Sequence, residues 1–516
     1  PKGAAMQNEN KLGVMPISKL IWNMSLPIIA SMLVQALYNI VDSVFVSRVS
    51  EQALTAVSLA FPAQNLMIGL ATGTAVGVNA LMGRALGAQM RERADRVANN
   101  GVFLAVVGFL ISAVLGLTCA DLFFRSQTQV ENIIQMGSEY LRIVTIGSLG
   151  MFCQIMYERL LQGTGRSLLS MYTQGLGAIV NIVLDPILIF GLGPMPELGV
   201  AGAAYATVAG QVLSALIVSS GLRRPPAIRV FFSYAARIYR LGYPSIFMQM
   251  LFTVYIMALN MILAGFSDAA VTVLGLYYKV QSFFFIPLSG LQTCIVPLLS
   301  YTYAKGAYSR CRHVVKDSVL LAMSFMLVGI ACFELIPAQL LGIFTADPLV
   351  LEIGVSAFHI IGTSFLPAVL SLIFPVFFQA IGAALPSVLL SLTRQIFCLI
   401  PVFWAFSKIG LGYTWLAFPI AETITGALGL VFYIHRVHIW DRYKDAVHKP
   451  ERKGATAMKL ITAIINKRDT GEVCAALTEA GYYFTRMAST GGFLTGGNTT
   501  LLIGTEEDRG SQVIAI

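Results

Sequence analysis

Long apolar runs dominate the first 440 residues, and short polar segments separate them. Each run is near the ~20 residues that an α-helix needs to cross a bilayer. The pattern therefore predicts an all-α, polytopic membrane protein with about twelve transmembrane helices. The predicted spans are 19–44, 53–82, 97–120, 133–162, 168–192, 199–221, 238–266, 270–302, 314–340, 352–380, 386–408 and 412–435.

Lysine and arginine concentrate in alternate loops. The loops after the second, fourth, sixth and eighth spans are basic, whereas the others hold little more than Arg48, Arg125 and Lys408. Because cytoplasmic loops carry the excess of basic residues, this bias predicts that both termini are cytoplasmic. The loops also explain most of the net charge of +9, so no nucleic-acid partner is expected.

Two stretches recur in the second half of the chain. Residues 68–97 align with 286–315 at a shift of 218, and Gln162-Gly-Thr-Gly165 aligns with Gln379-Ala-Ile-Gly382 at a shift of 217. The repeat predicts two six-helix halves, 15–225 and 226–440, related by an axis along the membrane normal. Such parallel repeats hold a substrate site between the halves and permit rocking.

Two acids interrupt these apolar runs. Asp185 lies deep in the fifth span with Asn181 one helical turn before it, and Asp42 lies in the first span with Tyr38 one turn before it. An ionisable residue within a membrane helix is costly and marks a functional site by default. Two neighbouring carboxylates partly out of water can bind a proton near neutral pH. The alternative is a polar contact that holds helices together.

Charged residues also fall within the C-terminal spans. Lys279 and Arg394 could extend towards an interface, or form a charge network with Glu422 as partner. Glu158 and Glu334 lie near the ends of spans and are expected to be interfacial.

Several classes of protein are disfavoured. The seven cysteines form no C-x-x-C or Cys/His cluster, so neither a disulfide framework nor a zinc site is expected. The sequence has no G-x-x-x-x-G-K-[ST] and no H-E-x-x-H motif. We therefore expect neither an ATP-driven pump nor an enzyme, and no cofactor.

The composition changes after Arg436. A polar linker is predicted at 441–457, followed by a small α/β fragment at 458–516. Its predicted elements are strands at 459–465, 485–488 and 499–503 and a helix at 470–480, with a glycine-rich loop at 489–497.

Pro27, Asp42, Asn181, Asp185-Pro186 and the Gln162-Gly-Thr-Gly165 turn resemble the multidrug and toxic compound extrusion (MATE) transporters, in their DinF-like, MepA-like bacterial branch. The resemblance covers about residues 15–440. It implies a transporter, monomeric in a bacterial cytoplasmic membrane, that exports bulky organic cations in exchange for H⁺ or Na⁺.

The resemblance also implies site residues. The coupling site would comprise Asp42, Asn181 and Asp185 with Thr207 as the sixth-helix threonine, and their oxygens could instead bind Na⁺. Another branch has acids in the seventh and tenth helices, where this chain has no mid-span acid. The candidates for the substrate cavity are Tyr38, Gln249, Asn260, Lys279 and Glu422.

The tail resembles the ferredoxin-like, PII-like cyclic-di-AMP receptors. Thr490-Gly-Gly-Phe-Leu494 and Gly497-Asn-Thr-Thr500 carry this resemblance, and Tyr483 stands where that family has a basic residue. It implies cyclic-di-AMP as a ligand and a trimer-forming tail. The implied ligand contacts are Thr485, Phe493, Leu494 and Asn498.

Two other interpretations remain beside the cation-coupled exporter. A transporter-like receptor could be governed by cyclic-di-AMP at the tail. A lipid-linked oligosaccharide flippase of the same superfamily would have about fourteen spans and a basic cavity, which the acid pair disfavours.

Overall fold

The structure is a computed structural model. It describes residues 11–126, 128–192, 195–218, 228–447, 458–466, 469–489, 498–506 and 513. The chain divides into two compact units, Pro1–Arg436 and Val437–Ile516. The predicted boundary between the two halves, at 225 and 226, lies outside the described residues.

Helices make up the first half of the membrane unit. Two of them are interrupted only by residues 147 and 148, so together they form one bent element. The helices are α1 (Lys11–Val14), α2 (Ile17–Val49), α3 (Glu51–Gly87), α4 (Arg91–Arg125), α5 (Glu131–Ile146), α6 (Leu149–Gly163), α7 (Ser167–Phe190) and α8 (Val200–Val218).

The second half repeats this order. Its helices are α9 (Ile228–Ala264), α10 (Asp268–Ala304), α11 (Tyr308–Leu335), α12 (Pro337–Gly342), α13 (Pro348–Gly362), α14 (Phe365–Ala380), α15 (Ala384–Leu392), α16 (Ile400–Ser407), α17 (Leu411–Thr414) and α18 (Ala417–Val447). A seven-residue π-helix, Thr393–Leu399, joins α15 to α16.

The predicted all-α, polytopic membrane fold is confirmed. Within the described residues, ten helices are long and apolar enough to cross a membrane, and the pair α13 and α14, bent by 56°, brings the number to eleven. The remaining predicted span, 133–162, corresponds to α5 and α6. These helices have only 16 and 15 residues, so neither alone has the length of a span.

The last membrane helix is longer than predicted. α18 continues to Val447, into the segment predicted as a linker, and residues 448–457 lie outside the described part of the chain. Residues 441–447 contain no proline or glycine to end the helix, and the first such residue is Pro450.

Two turns demonstrate the internal repeat. Gly165 and Gly382 both have a positive φ, of 79° and 77°, directly after α6 and α14. Gln89 and Gly306 likewise have φ values of 59° and 71°, directly after α3 and α10. Both pairs are 217 residues apart, so the shift of 218 predicted for the second pair is one residue too large.

Glycines bring the two halves into contact. A methyl group on Gly73 of α3 would lie 3.0 Å from the Ile246 nitrogen of α9, and one on Gly290 of α10 would lie 2.5 Å from Cγ1 of Ile29 of α2. The two contacts are also 217 residues apart. Each half therefore packs its second long helix against the first long helix of the other half.

The C-terminal unit contains a three-stranded antiparallel sheet. Its elements are β1 (Met458–Asn466), α19 (Thr470–Glu479), β2 (Phe484–Ser489) and β3 (Asn498–Glu506), and the strand order is β1-β3-β2. Leu477, Tyr482, Leu501, Ile503 and Val513 form its core. The elements agree with the predicted α/β fragment, whereas most of the glycine-rich loop lies outside the described residues.

Candidate functional site

A cavity of about 710 Å³ lies within the N-terminal half. Helices α2, α3 and α5 to α8 line it, and Thr293 of α10 is the contribution of the other half. Polar side chains are unusually frequent on its wall. Eight lining residues are amides, namely Gln35, Asn39, Gln64, Gln154, Gln162, Gln174, Asn181 and Gln211.

The predicted coupling residues meet at one end of this cavity. Tyr38, Asp42, Asn181 and Thr207 line it, and Asn181 Nδ2 donates a hydrogen bond of 3.4 Å to Thr207 Oγ1. Asp185 lies one turn beyond Asn181 on α7, is 0% exposed, and is set behind the cavity wall. We call Asp42, Asn181, Asp185 and Thr207 the coupling group.

Glycines position the coupling group. Gly177 and Gly210 face each other where α7 crosses α8, and a methyl group on Gly210 would lie 2.7 Å from the Gly177 carbonyl oxygen. Ser214 adds a hydrogen bond of 3.0 Å from Oγ to the Thr173 carbonyl oxygen. This close approach brings Asn181 within reach of Thr207.

Four oxygen atoms of the coupling group are buried without a hydrogen-bond partner. They are Asp42 Oδ1, Asn181 Oδ1 and both carboxylate oxygens of Asp185. Leaving a buried acceptor unpaired costs about 1–3 kcal/mol, and more when the group is charged. The arrangement is therefore chemically suited to a proton or a cation that these oxygens would hold.

A second polar group lies towards the other end of the cavity, near the turn between α6 and α7. Gln154 Nε2 donates to Glu158 Oε1 at 3.0 Å, and Arg159 Nη1 donates to Gln162 Oε1 at 3.3 Å. Glu158 lines the cavity and is only 9% exposed, so the prediction that it is interfacial was wrong. The spacing of Gln154, Glu158 and Gln162 on one helix face was the signal for its position.

The charges of the C-terminal half are arranged differently from the prediction. Arg394, in the π-helix, forms a buried ion pair with Glu422 of α18, and Ser371 of α14 donates to the same carboxylate. Lys279 is exposed on α10 and is not a partner of Glu422. Arg394 therefore does not extend to an interface.

The remaining C-terminal candidates do not line the cavity of the N-terminal half. Gln249 Nε2 donates to Asn65 Oδ1 at 2.6 Å, and Asn260 is half-buried on α9. Lys279 and Glu422 are also absent from the wall of this cavity. Glu334 is exposed and accepts or shares a proton with His359 at 3.0 Å.

The structure describes only part of the predicted nucleotide site in the tail. Thr485 lies in β2 opposite Leu502, and Asn498 is the first residue of β3. Phe493 and Leu494 lie outside the described residues.

Two halves of repeated helices around a polar cavity at membrane depth define a multi-pass membrane transporter. The MatE family model matches residues 27–187 and 244–404. The chain therefore belongs to the MatE family, and the two matched segments are again 217 residues apart.

Individual relatives agree over most of the membrane unit. A protein of Thermotoga maritima described as a probable multidrug resistance protein NorM is 28% identical over 67% of this chain and 76% of its own length. The FAD transporter of Shewanella oneidensis and the multidrug export protein MepA of Staphylococcus aureus are each 24% identical over 82% of this chain, and over 95% and 94% of their own lengths.

Solved structures confirm the fold. A crystal structure of MATE in complex with MaL6 and an outward-facing multidrug resistance MATE family transporter each have a TM-score of 0.78 at 24% identity. Each comparison covers 84% of this chain and 99% of the other.

The tail matches a second family. The cyclic-di-AMP receptor family model matches residues 458–516. The chain thus joins a MatE transporter unit to a segment of cyclic-di-AMP receptor type, as the sequence predicted.

Proposed function

We propose that the protein is a cation-coupled antiporter that exports bulky organic compounds by alternating access. The observation that carries the proposal is the set of buried, unpaired oxygen atoms of Asp42, Asn181 and Asp185 beside a cavity of about 710 Å³. The similarity to MepA and NorM, which are named as multidrug proteins, supports organic compounds as cargo.

Either H⁺ or Na⁺ suits the coupling group. A proton would neutralise one carboxylate and give it a donor, whereas Na⁺ would take the carboxylate, amide and hydroxyl oxygens as ligands. Within the described residues no cluster of three His, Cys, Asp or Glu side chains could hold a metal, which is compatible with a weakly held coupling ion.

Coupling follows from differential binding. A cation that binds one conformation more tightly than the other shifts the population towards that conformation. Entry of the cation from outside would favour release of the exported compound, and its loss to the cytoplasm would favour the inward-open state. The contacts of Gly73 and Gly290 between the halves supply the surfaces on which they rock.

The other parts of the proposal follow from the loops and the tail. We place the transporter, as a monomer, in a bacterial cytoplasmic membrane with both termini cytoplasmic, because alternate loops are basic. It acts without enzymatic chemistry and without a cofactor. Cyclic-di-AMP binding at a trimeric tail, with control of transport, is our second candidate function, and the family match at 458–516 favours it.

The experiment is transport in proteoliposomes under a pH gradient and, separately, a Na⁺ gradient. Asp42→Asn and Asp185→Asn are compared with the wild type and with Glu334→Gln, an exposed carboxylate outside the cavity. We expect the first two variants to lose gradient-driven export and the control to retain it. Export that ignores both gradients in the wild type would reject the antiporter.

A further inference from the structure

We propose that Glu158 is the counter-charge that selects cationic substrates, at a subsite separate from the coupling group. This inference rests on the proposed export function and names the substrate class of the same cavity. The coupling group occupies one end of the cavity and leaves the carboxylate of Glu158, towards the other end, without a role.

The surroundings of Glu158 suit an organic cation. Met151, Gln154, Ile155, Glu158 and Gln162 all line the cavity from one face of α6. The carboxylate thus lies beside two apolar side chains, and Met67 and Ile68 of α3 add further apolar wall. A binding site for an amphiphilic cation needs this combination of one negative charge and apolar surface.

Glu158 also lacks a cationic partner within the protein. Gln154 supplies one neutral hydrogen bond to Oε1, and no basic nitrogen in the described part of the chain lies within 4.0 Å of the carboxylate. Arg159, its neighbour in sequence, instead donates to Gln162. A nearly buried carboxylate without a counter-ion favours a cationic ligand, because burying a charge is costly unless it is paired.

The position of Glu158 gives the subsite a role in transport. The turn between α6 and α7 belongs to a loop that the basic residues assign to the cytoplasmic side. A substrate cation entering from the cytoplasm would meet Glu158 before it meets Asp42. A substrate cation at Glu158 and a coupling cation at Asp42 would repel each other within one cavity, which favours exchange over joint occupancy.

The test measures equilibrium binding to the purified full-length protein in detergent, without any gradient. The probes are tetraphenylphosphonium, a cation, and triphenylphosphine oxide, a neutral compound of similar shape. We expect the wild type to bind the cation at least about tenfold more tightly than the neutral compound. Glu158→Gln should remove this preference by weakening the cation alone, and Glu158→Asp should keep part of it.

Each result decides the inference. A wild type without a cation preference, or a Glu158→Gln variant that keeps the full preference, would overturn it. Equal weakening of both probes would indicate a merely structural role and would also overturn it. Thermal unfolding and the Glu158→Asp variant ensure that a misfolded Glu158→Gln protein is recognised and the comparison is still made.

The proposed function can fail independently. Asp42→Asn should lose gradient-driven export in liposomes but retain the preference for tetraphenylphosphonium. If the wild type showed no gradient-driven export and yet a cation preference that depends on Glu158, the antiporter would be rejected and the subsite would stand.

Discussion

Arg394 and Glu422 form a two-pronged ion pair inside the C-terminal half. Arg394 Nη2 lies 2.6 Å from Glu422 Oε1, and Arg394 Nε lies 2.8 Å and 3.0 Å from the two carboxylate oxygens. The side chains are only 16% and 9% exposed. The C-terminal half thus satisfies its own buried carboxylate, whereas the N-terminal half leaves the oxygens of Asp185 unpaired.

This difference predicts a strong dependence of stability on the pair. Arg394→Met leaves a buried carboxylate without its cation, so we expect the free energy of unfolding to fall by about 3–5 kcal/mol. Glu422→Gln should have a similar effect, and the double variant should lose less than the two single losses combined. Thermal unfolding of the purified variants in detergent measures the effect.

Lys279→Met is the matched control, since Lys279 is an exposed cation of the same half. Its effect should stay within about 0.5 kcal/mol. Additive losses in the Arg394 and Glu422 double variant would contradict the coupling between these side chains.

A second prediction concerns the crossing of α7 and α8. In Gly177→Ala the new methyl group would meet Ser214 Oγ and would lie 2.8 Å from the Gly210 carbonyl oxygen. The helices must separate, which draws Asn181 away from Thr207. Because small misplacements in a site are costly, we expect gradient-driven export to fall about tenfold or more.

Gly175→Ala is the control for this substitution. A methyl group at Gly175 has no atom within 4 Å, although the residue lies on the same helix only two positions away. That variant should export normally, and alanine should if anything stabilise the helix. Equal export by the two variants would refute the role of the helix crossing.

A third prediction uses the repeated turns. Gln89 has a φ of 59°, a conformation that costs a residue with a side chain about 1–2 kcal/mol. Gln89→Gly should therefore stabilise the protein by up to about 1 kcal/mol, the remainder being lost to the greater freedom of glycine in the unfolded chain.

Gly306→Ala should have the opposite sign at the equivalent turn. A methyl group there has no atom within 4 Å, so its cost of about 1 kcal/mol would come from the backbone alone. The unfolding midpoints of both variants check this pair. Shifts in the same direction would mean that the two turns are not energetically equivalent.

The sequence predicted the helical architecture because a span must be long and apolar, and this requirement is local. It also indicated Asp42 and Asp185, since a lone acid in an apolar run is visible without a structure. The structure then brings Asp42, Asn181 and Thr207 to one cavity, although their functional roles remain a proposal.

Other features depend on tertiary contacts that no local pattern specifies. Glu158 lies five residues before the end of α6, and its burial depends on which face of α6 meets the cavity. The partner of Glu422 could not be chosen between Lys279 and Arg394 from the sequence, because the π-helix rotates the side chains around Arg394 relative to an α-helix.

The reciprocal contacts of Gly73 with Ile246 and of Gly290 with Ile29 have a consequence for how the molecule is assembled. Each half lends one helix to the other, so neither half buries its own contact surface. The bundle is in this sense a dimer written into a single polypeptide, in which covalent linkage guarantees the partner. That linkage freed the two halves to diverge, so one could keep uncompensated acids while the other neutralised its own.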